Sequence, residues 1–265
     1  MGVLDEFRLD GSVALVTGAA GGLGSAFATA MAEAGADVVV ADLDHDGAQA
    51  VADDLEADTG AETLALEVDV TDEAAVEGMV DAALERFGRL DAAFANAGIG
   101  ELERPAQHYQ LAQWDRIVDV NLRGVWLTDL YAARAMAEQD SGGSIVNTAS
   151  VYGLVGSDAM GYNPAYAASK GGVVNLTRTL GAEWAPEIRV NAIAPSHART
   201  NIGGGYLDED SRVGQDIADE IEAETPVDRI AEPEELQGMA LFLASEAARY
   251  CTGYTYAVDG GWLAR

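Results

Sequence analysis

Short apolar runs recur along the chain, each followed by a longer segment of helical composition. Val13–Thr17, Asp37–Ala41, Thr63–Val68, Leu90–Ala95, Ser144–Thr148, Arg189–Ala194 and Tyr254–Val258 read as strands. Asp37–Ala41 (DVVVA) has no polar alternation, as expected of a strand buried on both faces of a parallel sheet. Phe27–Ala34, Ala48–Asp58, Asp72–Phe87, Leu111–Ala137 and Pro164–Trp184 read as helices, with Asp72 near the start of its own. Repeated strand–helix units predict an α/β fold, a doubly wound parallel sheet. No repeat, low-complexity tract or linker divides residues 1–265, so one domain is expected. The Gly/Asp-rich stretch Gly203–Asp210 reads as a mobile loop.

Composition adds one large fact. Apolar residues make up 49% of the chain, enough for a sizeable core, but 45 acidic side chains face only 15 basic ones, for a net charge of -30. Such a surface repels nucleic acid and anionic membranes, so neither is expected as a partner. It also repels itself, and molar salt quenches that repulsion, which suggests a halophilic source. Fourteen of the basic residues are arginine and one is lysine, Lys170. Cys251 is the only cysteine, so no intrachain disulfide can form, and it reads as a small buried hydrophobe. The start MGVLDEFRLDG has no basic region followed by an apolar run, and Glu6 breaks a myristoylation pattern. No apolar stretch is long enough to span a membrane. A cytoplasmic, soluble protein is the expectation.

The first strand runs into Thr17-Gly18-Ala19-Ala20-Gly21-Gly22-Leu23-Gly24 and then a helix. Missing side chains let backbone approach a pyrophosphate, and a helix N-terminus adds partial positive charge, so a Rossmann-like dinucleotide site is expected here. The glycines fit G-x-x-x-G-x-G and G-x-x-G-x-x-G equally well. Asp42 closes the second strand, where a carboxylate can accept from adenosine ribose hydroxyls and repel a 2′-phosphate. No Arg or Lys lies between Ser12 and Val68, so NAD is favoured over NADP. Asp42, Asp44, Asp46 and Gly47 imitate the opening of a calcium loop, but a strand precedes them and Asp53 stands where a bidentate Glu is wanted. His45, His108 and His197 lack metal-ligand spacing, so no metal is expected.

Tyr166 and Lys170 lie four residues apart in a helical pattern, hence on one face. A phenol is too weak a base at neutral pH, and a neighbouring ammonium favours its phenolate. The pair can therefore move a proton to or from an alcohol or carbonyl oxygen. That the chain's one lysine sits at this spacing argues against coincidence.

T-G-x-x-x-G-x-G, Asn96-Ala97-Gly98, Ser150 and Y-x-x-x-K, with Asn191–Pro195 (NAIAP) and Tyr254–Trp262 (YTYAVDGGW), resemble the short-chain dehydrogenase/reductase family over nearly the whole chain. The resemblance implies an NAD-dependent oxidoreductase acting on a small alcohol or carbonyl substrate. Tyr166 would be the acid/base. Lys170 would tune it and hold the nicotinamide ribose. Ser150 would bond the substrate oxygen, and Asn121 would hold a water in a proton relay. Gly18, Gly22, Leu23 and Gly24 would line the pyrophosphate. Asp42 would bind the ribose, Asp69 and Val70 would flank the adenine, and Asn96 would pack on the cofactor. Pro195 and Thr200 would bound the nicotinamide side. The family's assembly into homodimers or homotetramers would use helices around Val118–Met136 and Pro164–Trp184, with the C-terminal strand in a second interface. Three features depart from the family's pattern. Ala95 stands for the usual first Asn, Ser196 follows Pro195 where Gly is usual, and Ser150 precedes Tyr166 by 16 residues, the excess falling in Ser157–Pro164. Tyr152, Met160, Tyr162 and His197 are pocket candidates. A sugar, sugar acid, polyol, steroid or acyl-carrier ketone would fit, the polar groups near Tyr206 favouring a small hydroxylated substrate. The rival readings are an NAD-dependent epimerase/dehydratase, which generally needs a larger C-terminal domain, and a non-catalytic NAD-binding regulator, which would not need Ser150, Tyr166 and Lys170 together.

Overall fold

The computed structural model of the chain describes residues 2–100, 106–156, 163–202, 207 and 211–264. Its strands are β1 (Val13–Thr17), β2 (Asp37–Asp42), β3 (Thr63–Glu67), β4 (Ala92–Ala95), β5 (Gly143–Thr148), β6 (Ile188–Pro195) and β7 (Thr255–Val258). They form one sheet in the order β3-β2-β1-β4-β5-β6-β7, and every pairing is parallel. The order reverses between β1 and β4, which leaves a crevice at their carboxyl ends, where α/β sheets bind ligands. The sequence reading of a doubly wound parallel sheet holds.

The helices are α1 (Gly22–Glu33), α2 (His45–Thr59), α3 (Glu73–Phe87), α4 (Leu111–Val118), α5 (Val125–Ala137), α6 (Pro164–Glu183), α7 (Arg212–Glu224) and α8 (Gln237–Ala244). They cover both faces of the sheet. Along β1, Ala14 and Val16 pack with α1, α2 and α8, while Val13 and Leu15 pack with α3 and α5. Along β2, Val38 and Val40 join the first cluster and Val39 and Ala41 the second. Two buried faces explain why neither strand shows polar alternation.

Local signals set the helix ends. Asp72 accepts from the backbone N–H of Ala74 and caps α3. Gly60 and Gly88 end α2 and α3 in the left-handed conformation. Leu111–Ala137, expected as one helix, is two helices joined by a π turn at Asp119–Gly124. The sequence analysis did not identify α7 or α8. The expected loop Gly203–Asp210 lies outside the described residues except for Leu207, which is buried. Among the described residues no helix is long and apolar enough to cross a membrane.

The ion pairs among the described residues include those of Arg8, Arg86, Arg89, Arg199, Arg229 and Arg249 with nearby carboxylates. Most lie on the surface, where solvent screens such a pair and it adds little to stability. Even complete pairing of 15 cations leaves 45 − 15 = 30 acids uncompensated. Their repulsion opposes the compact state and is screened within roughly 3 Å in molar salt. The thermal midpoint is therefore expected to rise as KCl goes from near zero to molar. An unchanged or falling midpoint would show that the acidic surface does not limit stability.

Candidate active site

Three of the four glycines in the turn between β1 and α1 are under different constraints. Gly18 has φ +66, and a Cβ there would stand 2.8 Å from the Ala97 Cα. Gly22 has φ +57 and faces the Thr200 methyl. Gly24 has no room for a side chain, since its Cβ would lie 2.0 Å from the Gly18 carbonyl oxygen. No side chain caps the start of α1, so its first N–H groups remain for an anionic ligand. Asp42 closes the turn from β2: its carboxylate accepts from the N–H groups of Ala20 at 2.9 Å and Asp44 at 3.0 Å. Asp44 in turn caps α2 through the Gly47 N–H, so Asp42 and Asp44 both have local structural work. Among the described residues no cluster of His, Cys, Asp and Glu could hold a metal.

Asn96 ties three strand ends together. Its Nδ2 donates to the carbonyls of Thr17 at 2.9 Å and Gly18 at 3.2 Å, and its Oδ1 accepts from the Thr148 hydroxyl at 3.0 Å. The Thr17 hydroxyl accepts from the backbone N–H groups of Asn96 and Ala97. Neither threonine was singled out in the sequence, because a lone Thr at a strand end carries no pattern.

The start of α6 carries the second group. Asn163 caps it, accepting from the Tyr166 N–H at 3.1 Å and from the Tyr109 hydroxyl at 3.1 Å, and Pro164 opens the first turn. One turn on, Lys170 is 2% exposed. Its Nζ donates to the Thr148 carbonyl at 2.7 Å and lies 5.7 Å from the Tyr166 ring centre. Burial pushes the Lys170 ammonium down to about 8. Burial raises the Tyr166 phenol above its ordinary value, and a hydrogen bond with Ser150 offsets only part of the rise. Ser150 is buried at the end of β5 and accepts from the Tyr152 N–H at 3.2 Å.

Asn121 sits fully buried in the π turn. Its side chain is bonded both ways to Ile99, accepting from the N–H at 2.8 Å and donating to the carbonyl at 2.9 Å. Gly98 packs between this amide and the lysine: a Cβ there would stand 3.5 Å from Asn121 Oδ1 and 3.6 Å from Lys170 Nζ. Gly124, closing the π turn, leaves room for Val70, which a Cβ would meet at 2.7 Å.

These elements surround one cleft of about 980 Å³. Of the residues nominated from sequence, Gly18, Gly22, Leu23, Asp42, Asp69 and Val70 line it. So do Asn96, Ser150, Tyr166, Lys170, Pro195 and Thr200. Gly24 and Asn121 stand behind the wall. Tyr152 and His197 also line it, while Met160 and Tyr162 lie outside the described residues. Arg116 of α4 is a cation at the cleft that sequence reasoning missed, because the fold rather than spacing brings it there.

The chain belongs to the short-chain dehydrogenase/reductase family. A family model described as enoyl-(acyl carrier protein) reductase matches residues 18–263. The chain is 42% identical over 253 residues to cis-4-hydroxycyclohexanecarboxylate dehydrogenase of Sinomonas cyclohexanicum, covering 95% of this chain and 96% of that protein. It is 40% identical over 258 residues to D-threitol dehydrogenase of Mycolicibacterium smegmatis, covering 97% and 95%. A solved structure described as a candidate NAD(P)-dependent gluconate 5-dehydrogenase from Beutenbergia cavernae, with NADP bound at low occupancy, superposes with a TM-score of 0.88 at 39% identity, covering 98% of this chain and all of that one. The chain is accordingly an oxidoreductase for alcohol or ketone substrates that uses a nicotinamide cofactor, NAD or NADP.

Proposed function

We propose that this chain catalyses NAD-dependent hydride transfer between a secondary alcohol and its ketone, on a sugar, sugar acid or polyol. The observation that carries the reading is the cluster at the cleft: Tyr166 hydrogen-bonded to Ser150, with the buried Lys170 ammonium against its ring. The glycine turn fits a dinucleotide, since Gly18, Gly21 and Gly22 present backbone without side chains to the cleft and no side chain caps the start of α1. Bound there, the nicotinamide supplies or accepts the hydride.

The chain's own residues handle the proton and the oxygen. Ser150 donates to the substrate oxygen as charge develops on it. Tyr166 takes the alcohol proton in oxidation and returns it in reduction. Lys170 would favour the phenolate by its charge and would hold the nicotinamide ribose. Asn121 holds the Ile99 backbone beside Gly98 and Lys170 and would support a water in a proton relay. Leu23, Asp69 and Val70 would border the dinucleotide, Asn96 keeps the strand ends fixed at the cleft, and Pro195 and Thr200 would bound the nicotinamide end. Assembly into a homodimer or homotetramer belongs to the same reading. The epimerase and regulator readings gain no support from any single feature of the cleft.

The proton step has a direct test. Tyr166→Phe is expected to bind NADH, read by fluorescence, and to lose at least a hundredfold in kcat, within the range that positioned acid–base groups contribute. Wild-type kcat in that variant would remove Tyr166 from the mechanism.

Cofactor choice rests on Asp42, whose carboxylate is fixed by Ala20 and Asp44 at the cleft. It suits ribose hydroxyls and repels a 2′-phosphate. The unmodified enzyme is expected to have a higher kcat/KM with NAD than with NADP, and Asp42→Ala to narrow the gap. Equal values with both cofactors before mutation would refute the preference.

A further inference from the structure

A second ionisable group is buried away from the cleft lining, and the hydride chemistry does not use it. Asp129 of α5 is fully buried, and among the described residues it is the only acid that is. Its Oδ2 accepts from the Asn147 Nδ2 of β5 at 3.0 Å, and the same Nδ2 donates to the Thr177 hydroxyl of α6 at 3.1 Å. Asn147 and Thr177 are fully buried as well. The three side chains join α5, β5 and α6 at one point. Asn147 precedes Thr148, whose carbonyl holds Lys170, and Thr177 lies about two turns along α6 from Lys170.

Donors and acceptors do not balance in this cluster if Asp129 is a carboxylate. Both N–H groups of the Asn147 amide are spent, one on Asp129 and one on Thr177. Asp129 Oδ1 and Asn147 Oδ1 are both buried and have no partner among the described residues. Two acceptors and no donor remain, and a buried polar atom left unpaired is costly. One proton on Asp129 Oδ1, donated to Asn147 Oδ1, pairs both atoms. Acid and amide then share two hydrogen bonds, one in each direction.

No cation offsets a carboxylate there. On α5, Tyr131 bonds Glu73 of α3, and the exposed Arg134 lies over the Tyr131 ring. On α6, Tyr166 lines the cleft, Lys170 donates to the Thr148 carbonyl, and Arg178 and Glu183 are exposed. β4 and β5 carry no ionisable side chain, and Arg189 of β6 donates to the Leu243 and Ser245 carbonyls. Glu73, Glu77, Asp81, Glu85 and Arg86 of α3, and Asp119 and Arg123 of the π turn, are exposed. Burial raises the Asp129 carboxyl to about 8 against the smaller pull of the Asn147 bond.

We propose that Asp129 enters the folded protein as a neutral acid that closes the joint between α5, β5 and α6, and that loss of its proton weakens this joint and gives the fold an alkaline limit. An unfolded aspartate gives up its proton at about pH 4. Below that pH both states are protonated and the stabilisation is whole. It is lost progressively as pH rises, because only the folded state keeps the proton, and the loss is complete near pH 8, where the folded state releases it too. The ionised form leaves a carboxylate in an apolar interior with a single N–H to meet it.

Asp129→Asn keeps the shape and both hydrogen bonds, since its amide can donate to Asn147 Oδ1, but it has no proton to lose. Urea unfolding of both proteins at one KCl concentration is the test. Relative to Asp129→Asn, the folding constant of the unmodified protein is expected to fall about tenfold per pH unit between about pH 5 and 7 and to level off above about 8. Histidine and Lys170 titrations occur in both proteins and cancel. A difference that does not change with pH would overturn the proposal. Infrared spectra give a readout that needs no unfolding. At neutral pH the unmodified protein is expected to show the C=O stretch of a protonated carboxyl, absent in Asp129→Asn and lost from the unmodified protein as pH passes about 8. No such band at neutral pH would mean an ionised Asp129 and would overturn the proposal as well. Should Asp129→Asn fail to fold, the band in the unmodified protein decides alone.

Discussion

An ammonium buried with no carboxylate beside it among the described residues is the constraint around which the cleft is arranged. Lys170 is the chain's one lysine, and it is 2% exposed. Taking such a charge out of water is expensive unless polar groups replace the lost hydration. The replacement visible here is the Thr148 carbonyl at 2.7 Å, the last residue of β5. Thr148 is itself tied through Asn96 to the ends of β1 and β4. The sheet's carboxyl edge, the glycine turn and α6 are thus fastened to one another at a single charged group. A residue that must be both buried and protonated cannot be an arbitrary surface lysine, and the other fourteen basic positions are all arginine.

The two halves of the cleft depend on this fastening in different ways. On the dinucleotide side, backbone does most of the work: glycines without space for a side chain, an uncapped helix start and a carboxylate held by two N–H groups. On the substrate side, side chains do it: Ser150, Tyr166 and the buried Lys170 line the cleft there. The strongly acidic surface lies outside this arrangement and acts on stability, not on the proton step.

Much of this was legible in the sequence because the strongest constraints leave the strongest patterns. A two-sided buried strand must be apolar throughout, so β1 and β2 stood out. A tyrosine and a lysine that must share a helix face have to be four apart. Features that depend on tertiary packing were not visible. The π turn at Asp119–Gly124 interrupts an otherwise continuous helical pattern, and its fit to Val70 through Gly124 shows only when the chain is folded. α8 (QGMALFLA) is short and almost uniformly apolar, so it has no period, and α7 places few apolar residues among many acids. Thr17, Thr148, Asn163 and Arg116 come to the cleft by topology, and no spacing announces them. The D-x-D-x-D-G run shows the converse: a motif-like string whose members serve a glycine turn and a helix cap.

Because the chain contains a single lysine, protein labelled with ¹⁵N at the lysine ζ position gives one side-chain resonance, free of overlap. Titrating that resonance in the cofactor-free protein reads the buried charge directly. The account predicts a midpoint of about 8, the ammonium persisting below it and the neutral amine above. A midpoint near the ordinary lysine value of about 10.4 would mean a solvated ammonium and would contradict the buried charge on which this description of the cleft depends.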